Sequence, residues 1–141
     1  MPAYSADQVF ITVGAILIDE GWADGEFFTL EQNEKTFDAV HSTDGMVTRF
    51  RTNNYSAIAT IKLIQSSPIN IALSAQFNLD RVTPGGAGIV PLLVKDGSGD
   101  SIFAAEECWI EQEPNVSYDR NPTSREWVIY CANIKRVDGG N

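Results

Sequence analysis

Apolar and polar side chains alternate along most of this chain, in short runs separated by turn residues. Residues 55–64 are the clearest case: the odd positions from Ala57 to Leu63 are all apolar, whereas the even positions include Thr60 and Lys62. A period of two is the repeat of a β-strand that buries one face. The pattern therefore predicts a mainly β protein.

Eight runs of this kind are predicted strands: 9–18, 26–32, 36–41, 46–52, 55–64, 89–95, 101–113 and 125–134. In the first run, the alternation places Phe10 and Ile18 on one face. Asp44-Gly45 is a hairpin dipeptide, and Asn53-Asn54 is a turn candidate because Asn tolerates positive φ. Pro91 indicates an edge strand or a bulge, since it cannot donate to a sheet.

One segment has the period of a helix. Ser66-Ser67-Pro68 predicts a serine N-cap with proline at the first helical position. Ile69, Leu73 and Phe77 follow at helical spacing, which predicts an amphipathic helix over about 67–79 whose apolar stripe covers a sheet. The fold class is thus an antiparallel β-sandwich or barrel of about eight strands with one flanking α-helix.

The length of 141 residues fits one domain, 1–141. We expect flexible N-terminal residues and a flexible C-terminal tail at 138–141. No apolar run approaches the roughly 18 residues that span a bilayer, so no membrane partner is predicted.

Acidic residues are concentrated in the first third of the chain. Residues 1–45 contain nine acids and one base, whereas residues 46–141 contain ten acids and nine bases, for a net charge of −9. This negative charge argues against a nucleic-acid-binding surface, which needs Lys and Arg side chains to neutralise phosphates. Two interpretations stay open: a solvated face that keeps the protein soluble, or a surface that repels another polyanion.

Motifs of catalysis are missing. His41 is the only histidine, and the sequence contains no Gly-x-Ser-x-Gly elbow. Residues 85–88 are glycine-rich without the ending of a phosphate loop, and residues 96–100 are far shorter than a calcium loop. Cys108 and Cys131 are predicted to be small, reduced residues of the core or an interface. We therefore predict no enzymatic activity, no metal and no cofactor.

Two ordered stretches resemble a known family. The first runs from Asp44-Gly45-Met46 through Ser66-Ser67-Pro68 to Ser74, and joins a strand to a short helix. The second contains the Asp96-Gly97 hairpin, a Trp109-Ile110 strand and the closing Arg125-Glu126-Trp127 strand. This order is similar to that of the tail tube (inner tube) proteins of contractile-tailed bacteriophages, and it covers most of residues 4–134.

The resemblance implies six copies per ring, and rings stacked into a hollow tube inside a contractile sheath. The tube would conduct the genome during ejection, without catalysis or cofactor. Implied partners are further copies, the tail sheath protein, and baseplate and tail terminator proteins. The tape measure protein and genomic DNA would pass through the lumen without specific binding. The implied location is the virion tail, assembled in the host bacterial cytoplasm.

Within this interpretation, the acids in or beside the second and third strands are candidates for lining the lumen, where they would repel DNA: Glu31, Glu34, Asp38 and Asp44. Candidates for contacts between rings or with the sheath are Trp22, Arg49, Arg51, Arg120 and Arg125. The alternatives are solvated positions for the charged residues and a core position for Trp22.

Other functions stay open at this point. A tube terminator or a baseplate tube initiator with the same sandwich would form one ring without polymerising. A carbohydrate-binding β-sandwich would use Trp22, Trp109 and Trp127 as stacking platforms, although the last two lie in apolar runs that favour burial. A small hydrolase is weakened by the single histidine.

Overall fold

The computed structural model describes residues 8–23, 25–86, 88–97 and 99–139. The elements of this part are β1 Val9–Val13, β2 Ile16–Ile18, β3 Phe28–Gln32, β4 Phe37–His41, β5 Val47–Arg51, β6 Ala57–Ile64, α1 Ile69–Val82, β7 Val90–Asp96, β8 Ile102–Gln112, β9 Ser124–Cys131 and β10 Ile134–Val137. The predicted fold class is confirmed: the chain is mainly β and antiparallel, with one helix in the described residues.

Eight strands form one antiparallel sheet in the order β2-β1-β7-β8-β9-β6-β3, and β10 also pairs with β8. The long β8 joins two parts of this sheet. Its first half, residues 102–105, pairs with β7 and β10, and its second half, residues 108–112, pairs with β9. Buried side chains from both parts belong to one core, so the sheet folds over a single hydrophobic interior.

The core follows the predicted alternation most closely in β6. Ala57, Ala59, Ile61 and Leu63 have no exposed surface, while the intervening side chains are at least partly exposed. Burying one face of each strand removes apolar surface from water, at about 25 cal/mol per Å². The alternation in the sequence thus reports the face that packs.

The first and last predicted runs each contain a break, so the described part of the chain has ten strands in place of eight. Gly14 has φ 61°, which favours glycine, and it turns the chain between β1 and β2. The shared face predicted for Phe10 and Ile18 is therefore wrong: Ile18 is buried, whereas Phe10 is exposed. The last run breaks after Cys131, and the chain then moves from β9 to β10 on a different part of β8.

Pro91 lies at a bulge and not at an edge. Strand β7 pairs on both sides, with β1 and β8, and its register with β8 shifts between Val90 and Leu92. The carbonyl of Pro91 accepts a hydrogen bond from the Gly14 N–H at 2.8 Å. Asn53 has the predicted positive φ, at 62°, but it does not close a hairpin, because β5 pairs with β4 and not with β6.

The helix spans Ile69–Val82, two residues later at its start and three at its end than predicted. Pro68 precedes the helix instead of occupying its first position, and the Ser67 hydroxyl accepts a weak bond from the Ile69 N–H at 3.3 Å. Leu73 is fully buried, and the Trp127 indole N–H donates to Asn70 Oδ1 at 3.0 Å. These contacts attach the helix to the sheet.

Cys108 and Cys131 lie directly opposite each other in the register of β8 and β9. Both are free and fully buried, as predicted for core positions. The hydrogen bond with Cys108 and burial raise the pKa of the Cys131 thiol well above its ordinary value.

The termini were predicted to be flexible, and residues 1–7 and 140–141 lie outside the described residues. Within the described part of the tail, the Gly139 N–H donates to Ser101 Oγ at 2.8 Å, and Arg136 pairs with Asp138 at 2.8 Å.

Adjacent positions of β6 give a matched test of this packing. Leu63→Ala removes a fully buried side chain and is expected to lower the free energy of unfolding by about 2–5 kcal/mol. Ile64→Ala, at a position that is 36% exposed, is expected to cost less than half as much. Urea unfolding followed by circular dichroism measures both values. Equal losses would contradict the assignment of the buried face.

Candidate assembly surfaces

A two-stranded hairpin, here called the arm, comprises residues 37–51, from the start of β4 to the end of β5. All of its residues are exposed, and its strands pair with each other and with no other strand of the described chain. An isolated two-stranded hairpin is at best marginally stable in water. The arm thus lacks the core that stabilises the main sheet.

The turn of the arm is built by local hydrogen bonds. Gly45 has φ 90°, which suits glycine in a tight turn. The Ser42 hydroxyl donates to the carboxylate of Asp44 and accepts from the Met46 N–H at 3.1 Å. Hydrogen bonds from Ser42 and then from the Met46 N–H lower the pKa of Asp44, because they favour its charged form.

The two faces of the arm differ in charge. The strand register separates a basic face from an acidic face. The basic face consists of Phe37, Ala39, His41, Val47, Arg49 and Arg51. The acidic face consists of Asp38, Val40, Thr48 and Phe50. On the basic face, the Arg49 guanidinium lies 3.9 Å from the centroid of the Phe37 ring, a cation–π distance.

The four predicted lumen acids are all exposed, but they lie in different places. Asp38 is on the acidic face of the arm and Asp44 is in its turn. Glu34 precedes the arm and accepts a hydrogen bond from Asn54 Nδ2 at 2.8 Å. Glu31 lies on β3, in the part of the sheet that contains β6 and β9.

Glu31 belongs to a cross-strand row on the outer face of that part of the sheet. The row continues through Ile58 and Tyr130 to Trp109, whose ring stacks on Tyr130 with 4.9 Å between centroids. The neighbouring row consists of Thr29, Thr60, Val128 and Gln112. This surface is called the polar face below.

The outer face of the other part of the sheet is different in character, and is called the apolar face. Its first row crosses four strands, through Phe10, Lys95, Ile102 and Val137. Its second row crosses five, through Leu17, Thr12, Leu93, Ala104 and Lys135. The five large apolar side chains are between 40% and 63% exposed, and neither row contains an acid.

Sequence reasoning missed the apolar face. The available signal was that the residues on both faces of β1 and β7 are mainly apolar, as in the β1 sequence Val-Phe-Ile-Thr-Val. Such a run is also typical of a strand buried on both faces. Only the pairing of strands shows that the second face is uncovered.

Trp22 packs on the core and not in an open loop. Its ring lies 4.6 Å from Phe27, and its backbone forms a bridge with Leu63. The indole N–H is buried without a hydrogen-bond partner. Trp127 is also buried, at 2% exposed, so it cannot present its ring to a sugar. Only Trp109 lies on an outer face of the sheet, so the three tryptophans do not form the shared set of stacking platforms that was considered for a carbohydrate site.

Of the remaining arginine candidates, Arg120 lies in the loop between β8 and β9, and Arg125 lies at the start of β9. Arg120 is exposed. Arg125 is engaged within the chain: it donates to Thr123 Oγ1 at 2.8 Å, and its guanidinium lies 5.6 Å from the centroid of the Tyr118 ring. Tyr118 is itself 80% exposed. Arg120 and Tyr118 are thus accessible in this loop, as are Val116 and Asp119.

Few of the described residues are arranged as an enzyme active site would require. They contain no group of three His, Cys, Asp or Glu side chains arranged to hold a metal ion. His41 is exposed on the arm. The described helix is too short and too polar to cross a membrane.

A family model described as the bacteriophage PhiTE tail tube protein matches residues 9–139. The chain belongs to this family of phage tail tube proteins. It is thus a structural component of a phage tail. A relative, the structural protein ORF10 of Pseudomonas phage KPP10, is 30% identical over 143 residues, which cover 98% of this chain and 83% of that protein.

Solved structures share the fold at much lower identity. The tube-terminating cap of the anti-feeding prophage has a TM-score of 0.65 at 8% identity, over 97% of this chain and 92% of that one. A chain of the extended sheath–tube complex of the PVC extracellular contractile injection system has a TM-score of 0.57 at 9% identity, over 96% and 91%. A chain of a native gene transfer agent virion has a TM-score of 0.62 at 10% identity, over 96% and 100%.

The hydrogen bonds of the tail tube arm predict a measurable pKa effect. Ser42→Ala removes the largest favourable contact of the Asp44 carboxylate, so the pKa of Asp44 is expected to rise toward its ordinary value. A lowered pKa stabilises the turn above the pKa of the unfolded chain, and this contribution is lost as the pH falls through the folded value. Carboxyl-detected NMR titration measures the shift. Thr43→Ala, which keeps the Ser42 hydroxyl, is the control. An unchanged pKa of Asp44 in Ser42→Ala would contradict the assignment of this hydrogen bond.

Proposed function

We propose that six copies of this chain close into a ring and that such rings stack into the inner tube of a contractile tail. The observation that carries most weight, beside the family, is the arm. It exposes Phe37, Val40, Met46, Val47 and Phe50 and receives no cover from the main sheet. Such a surface is costly in a monomer and is expected where another copy covers it.

The free edges of the sheet support the same proposal. Strands β2 and β3 end the described sheet, so each presents one unpaired side. Open edges invite pairing with another chain. Head-to-tail contacts between different surfaces of identical copies generate closed rings or open filaments.

The polar face lines the channel in this proposal. It contains Glu31 together with Thr29 and Thr60, whereas the apolar face has no acid in its two rows. Glu34 and Asp44, both exposed, extend the negative surface. Asp38 shares its face with Val40 and Phe50, which are 57% and 43% exposed, whereas the apolar side chains of the polar face are only partly exposed, so we assign Asp38 to a contact between copies.

A negative channel suits the passage of DNA. Double-stranded DNA carries about one negative charge per 1.7 Å of helix axis, and cationic side chains would hold it. With a net charge of −9 per chain, the ring has an excess of acids available to repel it. Screening limits the repulsion to roughly 8 Å at physiological ionic strength, so it acts close to the wall.

The sheath, baseplate and terminator proteins are the other partners in this proposal, with the tape measure protein and genomic DNA in the lumen and assembly in the host cytoplasm. Arg120 and the basic face of the arm, with Arg49 and Arg51, are the proposed contacts with the next ring or with the sheath. The family and the fold shared with a chain of a sheath–tube complex support this assignment.

A second candidate is a terminator or another single-ring component. Its support is the fold shared with the anti-feeding prophage cap. Negative-stain electron microscopy of the purified protein separates the two: long tubes support the inner tube, whereas single rings at every concentration support the terminator. A monomer at every concentration would overturn both.

Salt dependence tests the balance of forces in the tube. Because each chain has a net charge of −9, repulsion between copies opposes stacking, and screening weakens that repulsion. Tubes are therefore expected to become longer and more numerous as sodium chloride rises from low concentration. Electron microscopy and sedimentation measure the assembled fraction. Dissolution of tubes with rising salt would contradict the argument.

Neutralising the channel acids tests the lining. Tubes of Glu31→Gln, Glu34→Gln and Asp44→Asn combined are expected to retain short DNA duplexes more strongly than wild-type tubes, because the repulsion at the wall is reduced. A matched variant, Glu111→Gln, Glu113→Gln and Asp119→Asn combined, changes the net charge equally at other exposed positions. Co-sedimentation of labelled DNA with tubes is the measurement, and equal retention by both variants would place the channel elsewhere.

A further inference from the structure

The acidic face of the arm needs cover from outside the arm. Val40 is 57% exposed and Phe50 is 43% exposed on this face. The basic face exposes Phe37 and Val47 to a similar degree, at 44% and 55%, but it also carries two arginines, which would meet a basic partner surface with like charge. No other strand of the described chain pairs with the arm. Removing Val40 and Phe50 from water therefore requires a second surface.

The apolar face is the surface that matches it in charge. The two rows of the apolar face contain two lysines and no acid, in a chain with 19 acids and 10 bases. Lys95 lies between Phe10 and Ile102 in the first row. It forms no ion pair with any residue of the described chain. A partner with apolar side chains and one carboxylate would satisfy both features.

We infer that the acidic face of the arm docks on the apolar face of a neighbouring copy, with Asp38 of one copy beside Lys95 of the next. This inference rests on the proposed function, since it requires contact between copies. Both surfaces are exposed in the single chain, so the arm does not cover its own apolar face. A pleated pair of strands packs face to face on another sheet at about 10 Å.

The contact joins two different surfaces, so it is head-to-tail and repeats from copy to copy. The contact buries exposed apolar side chains of both the arm and the apolar face, which are unfavourable in water when each surface is uncovered. The charge pair fixes the direction and register of docking more than it adds affinity.

The exposed stripe of α1 is the competing acceptor. Ile71, Leu79 and Val82 are between 48% and 75% exposed. The other exposed residues at this helical spacing, Ala75 and Asn78, carry no charge, so the stripe offers no cation at its centre to pair with Asp38. At the other end of the apolar face, Glu106 and Glu107 line the same shallow depression as Lys135, which makes Lys95 the better partner for an acid.

Cysteine pairs test this contact directly. Val40→Cys with Leu93→Cys places one thiol on the acidic face of the arm and one on the apolar face. Ala39→Cys with Leu93→Cys is the matched control, since Ala39 is the adjacent residue on the opposite face of the arm. Val40→Cys with Leu79→Cys tests the helix. The native cysteines are buried, and wild type gives the background.

Each variant is assembled, oxidised with copper phenanthroline, and analysed on non-reducing gels beside electron micrographs of the same sample. The expected result is a ladder of cross-linked oligomers for Val40→Cys with Leu93→Cys, at least about tenfold stronger than for the other two pairs. Rings or tubes without this ladder, or a stronger ladder from either other pair, would overturn the inference and leave the proposed function intact. A wild type that never assembles would overturn both.

Charge reversal gives a second test that introduces no cysteine. Asp38→Lys and Lys95→Glu alone are each expected to lower the assembled fraction, because each places like charges together. The double variant restores the opposite pair and is expected to recover assembly to within about twofold of wild type. Circular dichroism shows that each variant is folded. Double-variant losses that equal the sum of the single losses would contradict the pairing of Asp38 with Lys95.

Discussion

The structure depends on the long strand β8, which pairs with β7 and β10 near its start and with β9 near its end. Its first half lies between β7 and β10, and its second half continues the sheet to β9. A strand of this length can belong to two parts of a sheet that fold over one core. The core then receives buried residues from β1 and β7 on one side and from β6 and β9 on the other. Without β8, neither part has a partner against which to bury its apolar face.

Folding in this way leaves two outer faces of opposite character. The polar face carries Glu31, two threonines and a glutamine beside partly exposed apolar side chains, whereas the apolar face contains five large apolar side chains, two lysines and no acid. A monomer gains nothing from such a difference. The proposed tube gains from it, because in that tube one face meets water and DNA while the other is covered by protein. The arm also has two faces of different charge, and both expose apolar side chains.

The same features explain why assembly and solubility compete. The chain has a net charge of −9, with most of the excess in the first third of the sequence. Like charge keeps copies apart in dilute solution, and it must be outweighed by burial of apolar surface when they associate. Lys95 and the arm arginines are exposed positive groups in this acidic chain. They are therefore well suited to direct which surfaces meet.

The sequence by itself determined the fold class, the core face of β6, the arm hairpin and the family. Each of these follows from a local signal: a period of two, an Asp-Gly turn, or motifs in a fixed order. The breaks at Gly14 and after Cys131 were not predicted, because an alternating run reads the same whether it continues or turns back. Tertiary structure alone decided that Trp22 packs on the core, that Asp38 shares a face with Phe50, and that the second face of β1 and β7 is bare. These depend on which strands are neighbours, and pairing joins residues far apart in sequence whose contacts leave no local pattern.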